Sequence, residues 1–265
     1  MMTAIERNFK IVTLRDRPGI NEIFSKQKER IWPEFMFHDV YADKLWSYVN
    51  DIFEDYQLYL LNEEQEPIAV GQTMPLVWDG RLEDLPVGWA DSMVRGTNDF
   101  EKGREPNTLA ALEISIQPEY RGQGVSYLMI RAIRELAEKC GFHAIIVAVR
   151  PSLKSLYPIT PMERYVRWRR DDGTPFDPWL RAHWRSGAEI LKVAHPSMVV
   201  EGSVAEWQDW TGMQFPESGE YVIANALAPI QIDKEMNIGR YIEPNVWVHH
   251  PITTKRLKED DNTQL

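Results

Sequence analysis

Apolar positions along the middle of the chain follow two different rhythms. From Thr108 to Gln117 (TLAALEISIQ) they alternate, and this period of two predicts a β-strand with Leu112, Ile114 and Ile116 on one face. Pro118 ends that strand, and Arg121-Gly122-Gln123-Gly124 reads as a tight turn. Immediately afterwards the period lengthens. Val125, Leu128, Met129, Ala132, Ile133, Leu136 and Ala137 form one helical stripe, opposite Arg131, Arg134, Glu135, Glu138 and Lys139. Gly141 suits the C′ position of this helix, with Phe142 as the apolar residue that follows it. His143 to Val149 is almost continuously apolar, as expected of a strand buried on both faces. The middle of the chain is therefore strand, glycine turn, helix, strand.

The flanks are less regular. Phe9 to Leu14 predicts a first strand, Ile20 to Ile31 a helix closed by Pro33, and Leu45 to Phe53 a second amphipathic helix. Gln57 to Leu61 and Pro67 to Trp78 read as strands joined by the polar turn 62–66. Asp79 to Asn107, rich in Gly, Asp and Pro, reads as a long surface excursion. A second dense segment, Arg150 to Phe176, carries many Arg, Pro and Trp residues. Asp177-Pro178 then provides an N-cap and a first-turn proline for a helix running to Gly187. Glu189 to Val200 and Glu220 to Ile232 are expected late strands, and the polar tail from Lys255 to Leu265 is expected to fray. No composition break marks a linker. One domain over 1–265 is expected, with insertions near 79–107 and 150–176 and an extended C-terminal segment.

Composition narrows the function. A net charge of −10 argues against nucleic acid or an anionic membrane as partner. The single cysteine, Cys140, excludes an intramolecular disulfide and a thiolate-cluster metal site. His249-His250 lacks a third ligand at zinc spacing, and Asp171-Asp172-Gly173 lacks the remaining ligands of a calcium loop, so no metal is expected. Met1 to Lys10 has no apolar core of signal-peptide length, and no apolar run reaches the length of a membrane span; a cytoplasmic protein is expected.

The chemical signal lies in the turn. Two glycines allow successive backbone N–H groups to point outward beside the positive end of a helix, which makes an anion site suited to a pyrophosphate. No Gly-Lys-Ser/Thr follows, so this is not a nucleotide P-loop, and the spacing is not that of a dinucleotide turn.

Within QPEYRGQGVSYLM, Arg121, Gly124 and Ser126 fall on the Q/R-x-x-G-x-G/A signature of the GNAT superfamily of acyl-CoA-dependent N-acyltransferases. The order of elements from Phe9 to about Ile232 resembles that superfamily as well. Ser126 departs from the usual Gly or Ala. The resemblance implies an α+β (α/β) fold with a mixed, mostly antiparallel central sheet flanked by helices. It also implies acetyl-CoA as the acyl donor and direct transfer to the amine of a small-molecule acceptor. Backbone N–H groups of Gln123, Gly124, Val125 and Ser126 would grip the pyrophosphate, with Arg121 and Gly122 shaping the turn. The strand around Ile114 and Ile116 would pair with the pantetheine arm.

Direct transfer needs a base for the ammonium and an acid for the departing thiolate. Positions that often carry Glu or His in the superfamily read Ala110 and Leu112 here, which keeps a non-catalytic acyl-CoA-binding module open as the alternative. Glu113 is the one carboxylate of the strand and the candidate base; regular alternation points it away from Leu112, and a bulge would reverse that. Water or a residue from an insertion is the alternative. For the acid, Arg150 to Tyr157 (RPSLKSLY) fits the superfamily's N-x-x-A-x-x-L-Y loosely and puts forward Tyr157; a second register puts forward Tyr165. Tyr165, Arg167 and Trp168 of the second insertion are candidate acceptor contacts. A homodimer through late strands is a further expectation. Ten tryptophans remain to be placed, as cores for the insertions or as walls of a pocket for a large or flat acceptor.

Overall fold

The computed structural model describes residues 9–252; the N-terminal segment and the polar tail assigned to fraying lie outside the described residues. Among them a nine-stranded sheet runs in the order β1-β2-β3-β4-β5-β9-β8-β7, with β6 pairing on β9. The strands are β1 (Lys10–Thr13), β2 (Leu58–Leu61), β3 (Pro67–Leu76), β4 (Thr108–Ile116), β5 (Ala144–Val149), β6 (Glu189–Gly202), β7 (Gly219–Tyr221), β8 (Ile230–Asp233) and β9 (Ile238–Pro251). All neighbours are antiparallel except β4 and β5. The parallel pair is the one joined by the glycine turn and a crossover helix, as parallel pairing requires. This is the mixed, largely antiparallel architecture that the resemblance implies.

Helices cover both faces. The main crossover helix, α4 (Val125–Lys139), buries its predicted stripe against β2 to β5, and Gly71 lets it approach closely: a Cβ there would come within 2.9 Å of Met129. Short α5 (Met162–Tyr165) and α6 (Pro178–Arg185) share that face and that core. On the opposite face lie α1 (Ile20–Ser25), α2 (Val40–Ser47) and α3 (Trp89–Glu101). The last helix, α7 (Val204–Thr211), packs Trp207 with Phe35, Phe215 and Tyr241 in a separate core at the far end of the sheet.

Five elements depart from the sequence reading, one of them the expected late strand Glu220 to Ile232, which is two short strands, β7 and β8, with a loop between them. The predicted helix from Ile20 stops at Ser25 and continues as single turns at Lys28–Arg30 and Glu34–His38. The second predicted helix begins earlier, at Val40, where the Asp39 carboxylate caps Tyr41 and Ala42, and it ends in a wide turn at Tyr48–Ile52. The supposed excursion 79–107 contains the 13-residue helix α3. Its apolar positions are diluted by Gly96, Thr97 and Asp99, all buried, which hides the stripe. A Cβ at Gly96 would meet Met74 at 2.5 Å, so glycine is needed there for α3 to lie on β3. Finally, the C-terminal segment forms β9, a central strand. Pro244 argues against a central strand in sequence. In the fold it stands opposite the irregularity between Ala194 and Met198 on β6, where the ladder is interrupted.

Candidate active site

The site starts from one extra residue. Across β3 and β4, Thr73 pairs with Ala111 and Gln72 with Glu113, so Leu112 bulges out of the ladder. Trp89 of α3 holds the bulge by donating its indole N–H to the Leu112 carbonyl at 2.7 Å. The bulge reverses the parity of the strand. Leu112 packs in the core under α2 and α3, while Ile114 and Ile116 join the α4 face. Glu113 turns to the α1 and α2 face, where Lys28 and Trp32 meet it.

β4 and β5 also part here. Their parallel pairing ends at Ala111–Val147, although β5 continues on β9 to Val149–Val246. The gap opens into a cavity of about 570 Å³. Its walls come from β4 (Ala111 to Ile114), β5 and the residue after it (Val147, Ala148, Arg150), β9 (Glu243, Asn245) and the α1–α2 region (Lys28, Trp32, Trp46). Trp89 and Trp179 complete an aromatic lining.

Two ion pairs face this cavity. Lys28 Nζ donates to Glu113 Oε2 at 2.9 Å and to Gln72 Oε1 at 3.2 Å, and lies 5.0 Å from the centre of the Trp46 ring. Trp32 Nε1 donates to Glu113 Oε1 at 3.2 Å and to Ser115 Oγ at 2.8 Å, and the Ser115 hydroxyl donates to the same carboxylate. The Glu113 side chain is 8% exposed. Burial pushes its pKa up, but Lys28 and the three donors outweigh burial and hold it below the usual carboxylate range. Across the cavity, Arg150 Nε donates to both oxygens of Glu243 at 3.0 Å. Tyr241 and Asn245 donate to the same carboxylate, at 2.8 and 3.0 Å. Burial opposes the Arg150 charge, and Glu243 overcomes it and raises the guanidinium pKa. Trp32 links the two pairs, because Arg150 stacks over its ring at 5.9 Å.

The glycine turn follows the C-terminal end of β4. Gly122 and Gly124 hold φ of 74° and 80°, the left-handed region that glycine enters at no cost. Neither has any atom within 4 Å of where a Cβ would be, so the turn is open to a ligand. Arg121, Gln123 and Gly124 are exposed, Ser126 is half-buried, and Val125 anchors the turn in the core. Gly124 is the N-cap of α4 and supplies no side-chain cap, which leaves the first N–H groups of a 15-residue helix for an outside acceptor. Arg121 Nε donates to the Ile116 carbonyl at 3.2 Å, tying the turn to the strand. The turn fits a pyrophosphate, and the half-open edge of β4 around Ile114 fits an extended arm.

The other sequence candidates lie elsewhere. Tyr157 is packed edge-on against Trp168 and Phe176, and Tyr165 completes this cluster. Tyr165 is 1% exposed and donates its hydroxyl to Asp177 at 2.8 Å. Burial and Asp177 raise its pKa, so it keeps its proton. The cluster ties the segment that follows β5 to the Asp177 cap of α6. Tyr157, Tyr165, Arg167 and Trp168 are all outside the cavity lining. Of the sequence candidates, Glu113 and Ile114 line it. Lys28, Trp32, Arg150 and Glu243 were missed, since they come from four separate stretches of chain; only the surplus of tryptophan hinted at them. Among the described residues no group of three or more His, Cys, Asp or Glu is placed to bind a metal. No described helix is long and apolar enough to cross a membrane.

Known proteins resemble this chain in sequence and in fold. A model of the acetyltransferase (GNAT) family matches residues 18–157. The arginine N-acetyltransferase avaD of Aspergillus versicolor is 34% identical, over 94% of this chain and 96% of its own length. Among solved structures, the loading GNATL domain of CurA from Lyngbya majuscula superposes with a TM-score of 0.58 at 14% identity, over 92% of this chain and 98% of that one. The GphF GNAT-like decarboxylase in complex with isobutyryl-CoA gives a TM-score of 0.52 at 15% identity, over 92% of this chain and 99% of that one.

Proposed function

Since the chain belongs to the acetyltransferase (GNAT) family and is an N-acetyltransferase that moves an acyl group from acyl-CoA to an amine, we propose that its donor is acetyl-CoA and its acceptor is arginine, acetylated on the α-amine. The observation that carries this reading is the cavity itself, which sets carboxylates beside cations between aromatic walls at the parting of β4 and β5. Such a lining suits a zwitterion with a long cationic side chain. The 34% identical relative named for arginine supports the same choice. Guanidinium stays protonated in proteins and is a poor nucleophile, whereas an α-ammonium releases its proton several pH units lower.

In this reading Glu113 attracts the α-ammonium and takes its proton, directly or through a water. Lys28 and Arg150 draw the acceptor's carboxylate, Glu243 fixes Arg150, and the Trp46 and Trp89 rings flank the side chain. The turn at 121–126 holds the pyrophosphate of the donor, and the edge of β4 at Ile114 and Ile116 aligns its arm. We place the reaction in the cytoplasm, consistent with a lone unpaired cysteine. The test is thiol release from acetyl-CoA with arginine, lysine, agmatine and Nα-acetylarginine. Arginine should turn over, agmatine poorly for want of the carboxylate, and Nα-acetylarginine not at all. Equal rates with arginine and Nα-acetylarginine would overturn the α-amine assignment. An unchanged melting temperature with acetyl-CoA would overturn the donor.

A further inference from the structure

Behind the apex of the β4–β5 gap, on the α4 face, three basic side chains form a line. Arg134 of α4 lies 3.3 Å, through one guanidinium nitrogen, from His250 Nδ1 on β9. His250 Nε2 lies 2.9 Å from His183 Nδ1 on α6. Both histidines are 1% exposed, and His183 Nε2 has no partner. A buried polar atom without a partner is rare and costs free energy.

The order of the line fixes its protons. A guanidinium only donates, so His250 Nδ1 must accept. Burial first, and the neighbouring charges second, push both imidazoles toward the neutral form, so each carries one ring proton. That of His250 is then on Nε2 and is donated to His183 Nδ1. The proton of His183 is consequently on Nε2, the atom with no acceptor. His183 borders a crevice of about 10 Å³, shared with Ala111, Ile114 and Val147, the residues at which β4 and β5 separate. Apart from the histidines and Arg134, which occupy one another, its lining is aliphatic. A buried water needs two to four polar partners, which this lining does not offer. Trp179, whose ring packs on His183 at 4.4 Å, also lines the main cavity, so one side chain connects the histidine to the site.

We propose that His183 is a pre-set hydrogen-bond donor for the pantetheine arm of acyl-CoA where β4 and β5 part, its proton held on Nε2 by the Arg134–His250 relay. It is a binding and positioning residue; a neutral imidazole does not give up this proton, and none is transferred. The inference rests on the acyl-CoA reading above. Its test compares binding of CoA with binding of adenosine 3′,5′-bisphosphate, which lacks pantetheine, to the full chain. His183→Leu should weaken CoA roughly 3- to 10-fold, the worth of one hydrogen bond, and leave the bisphosphate unchanged. His183→Gln, which restores an N–H at similar reach, should recover most of the loss. Nitrogen-15 spectra of the unaltered protein should show His183 protonated on Nε2 and that signal shifting with CoA but not with the bisphosphate. A His183→Leu protein that melts normally and binds CoA as tightly as the parent would overturn the inference. So would an Nδ1-protonated His183, or equal losses for both ligands. Failure of the parent itself to bind CoA would instead overturn the acyl-CoA reading.

Discussion

The middle of β4 and the turn that follows its C-terminal end solve different problems with different materials. The turn 121–126 is made from backbone: two glycines at positive φ and the uncapped start of α4. At the bulge the cavity is made from side chains brought in from α1 to β9, with Lys28 and Glu113 85 residues apart and Arg150 and Glu243 93 apart. A backbone site needs only that local conformation be permitted. A side-chain site needs the whole sheet to be assembled first, and pays for its buried charges with partners. The two should therefore fail independently and in different ways.

The largest effect expected is at the turn. Gly124→Glu puts a charged side chain at φ 80° where the phosphates would lie, and should remove the acetyl-CoA-induced rise in melting temperature and all detectable turnover. Because a Cβ at Gly124 meets nothing within 4 Å, the ligand-free protein should lose only about 1 kcal/mol. If this variant still melts higher with acetyl-CoA, the turn does not hold the donor. Glu113→Gln should do the opposite. The thermal shift by acetyl-CoA should persist, while kcat/KM for the acceptor falls about 10²- to 10⁴-fold, the usual worth of a general base. Parallel loss of both ligands would erase the distinction between the two sites.

A stability test sharpens the contrast. Arg150→Ala leaves Glu243, fully buried, without its cation, and should cost about 3–5 kcal/mol in chemical denaturation. Adding Glu243→Gln should return part of that loss, as a double-mutant cycle would reveal. No single change in the turn should approach this figure.

This contrast also explains what could be read in the sequence. Strand, turn and α4 were legible because Leu112 to Ala137 keeps its own period and punctuation, and the glycine turn is contiguous. Even there, one residue was hidden. The sequence puts Leu112, Ile114 and Ile116 on one face, and only the register of β3 reveals that Leu112 is extra and that Glu113 turns toward Lys28. The cavity was illegible for a related reason. Lys28 belongs to a predicted helix that in fact breaks at Ser25, which frees the lysine to reach Glu113. Glu243 belongs to a strand masked by Pro244. Tyr157 and Tyr165, which the resemblance puts forward as proton donors, pack around the Asp177 cap and outside the cavity lining.

Acid should distinguish the buried histidines from the rest of the site. Burial, then Arg134 and His249, lower the His250 pKa from 6.5 to about 4, and His183 is lowered as well. In the window between about 4 and 6.5 the unfolded chain binds protons that the folded one refuses. Stability should thus be fully present above pH 6.5 and fall as the pH drops to 4, by about 3 kcal/mol from His250. His250→Gln should flatten that slope in urea titrations at stepped pH. A slope unchanged in the variant would mean that carboxylates, not this histidine, set the acid limit.

The smallest effect expected probes how the cavity recognises charge. Lys28 Nζ lies 5.0 Å from the Trp46 ring centre, and the ring's negative face helps hold the ammonium beside Glu113. Trp46→Leu keeps an apolar wall and removes that face, which is worth about 0.5–1 kcal/mol at a partly exposed site. Lys28 then becomes freer to leave Glu113, and the carboxylate's pKa should move up toward its ordinary value. In the pH profile of kcat/KM for arginine, the acid limb should shift to higher pH while the KM for acetyl-CoA stays fixed. A shift in the acetyl-CoA KM instead would place Trp46 on the donor's side of the β4–β5 gap, and the division between a backbone site and a side-chain site would have to be redrawn.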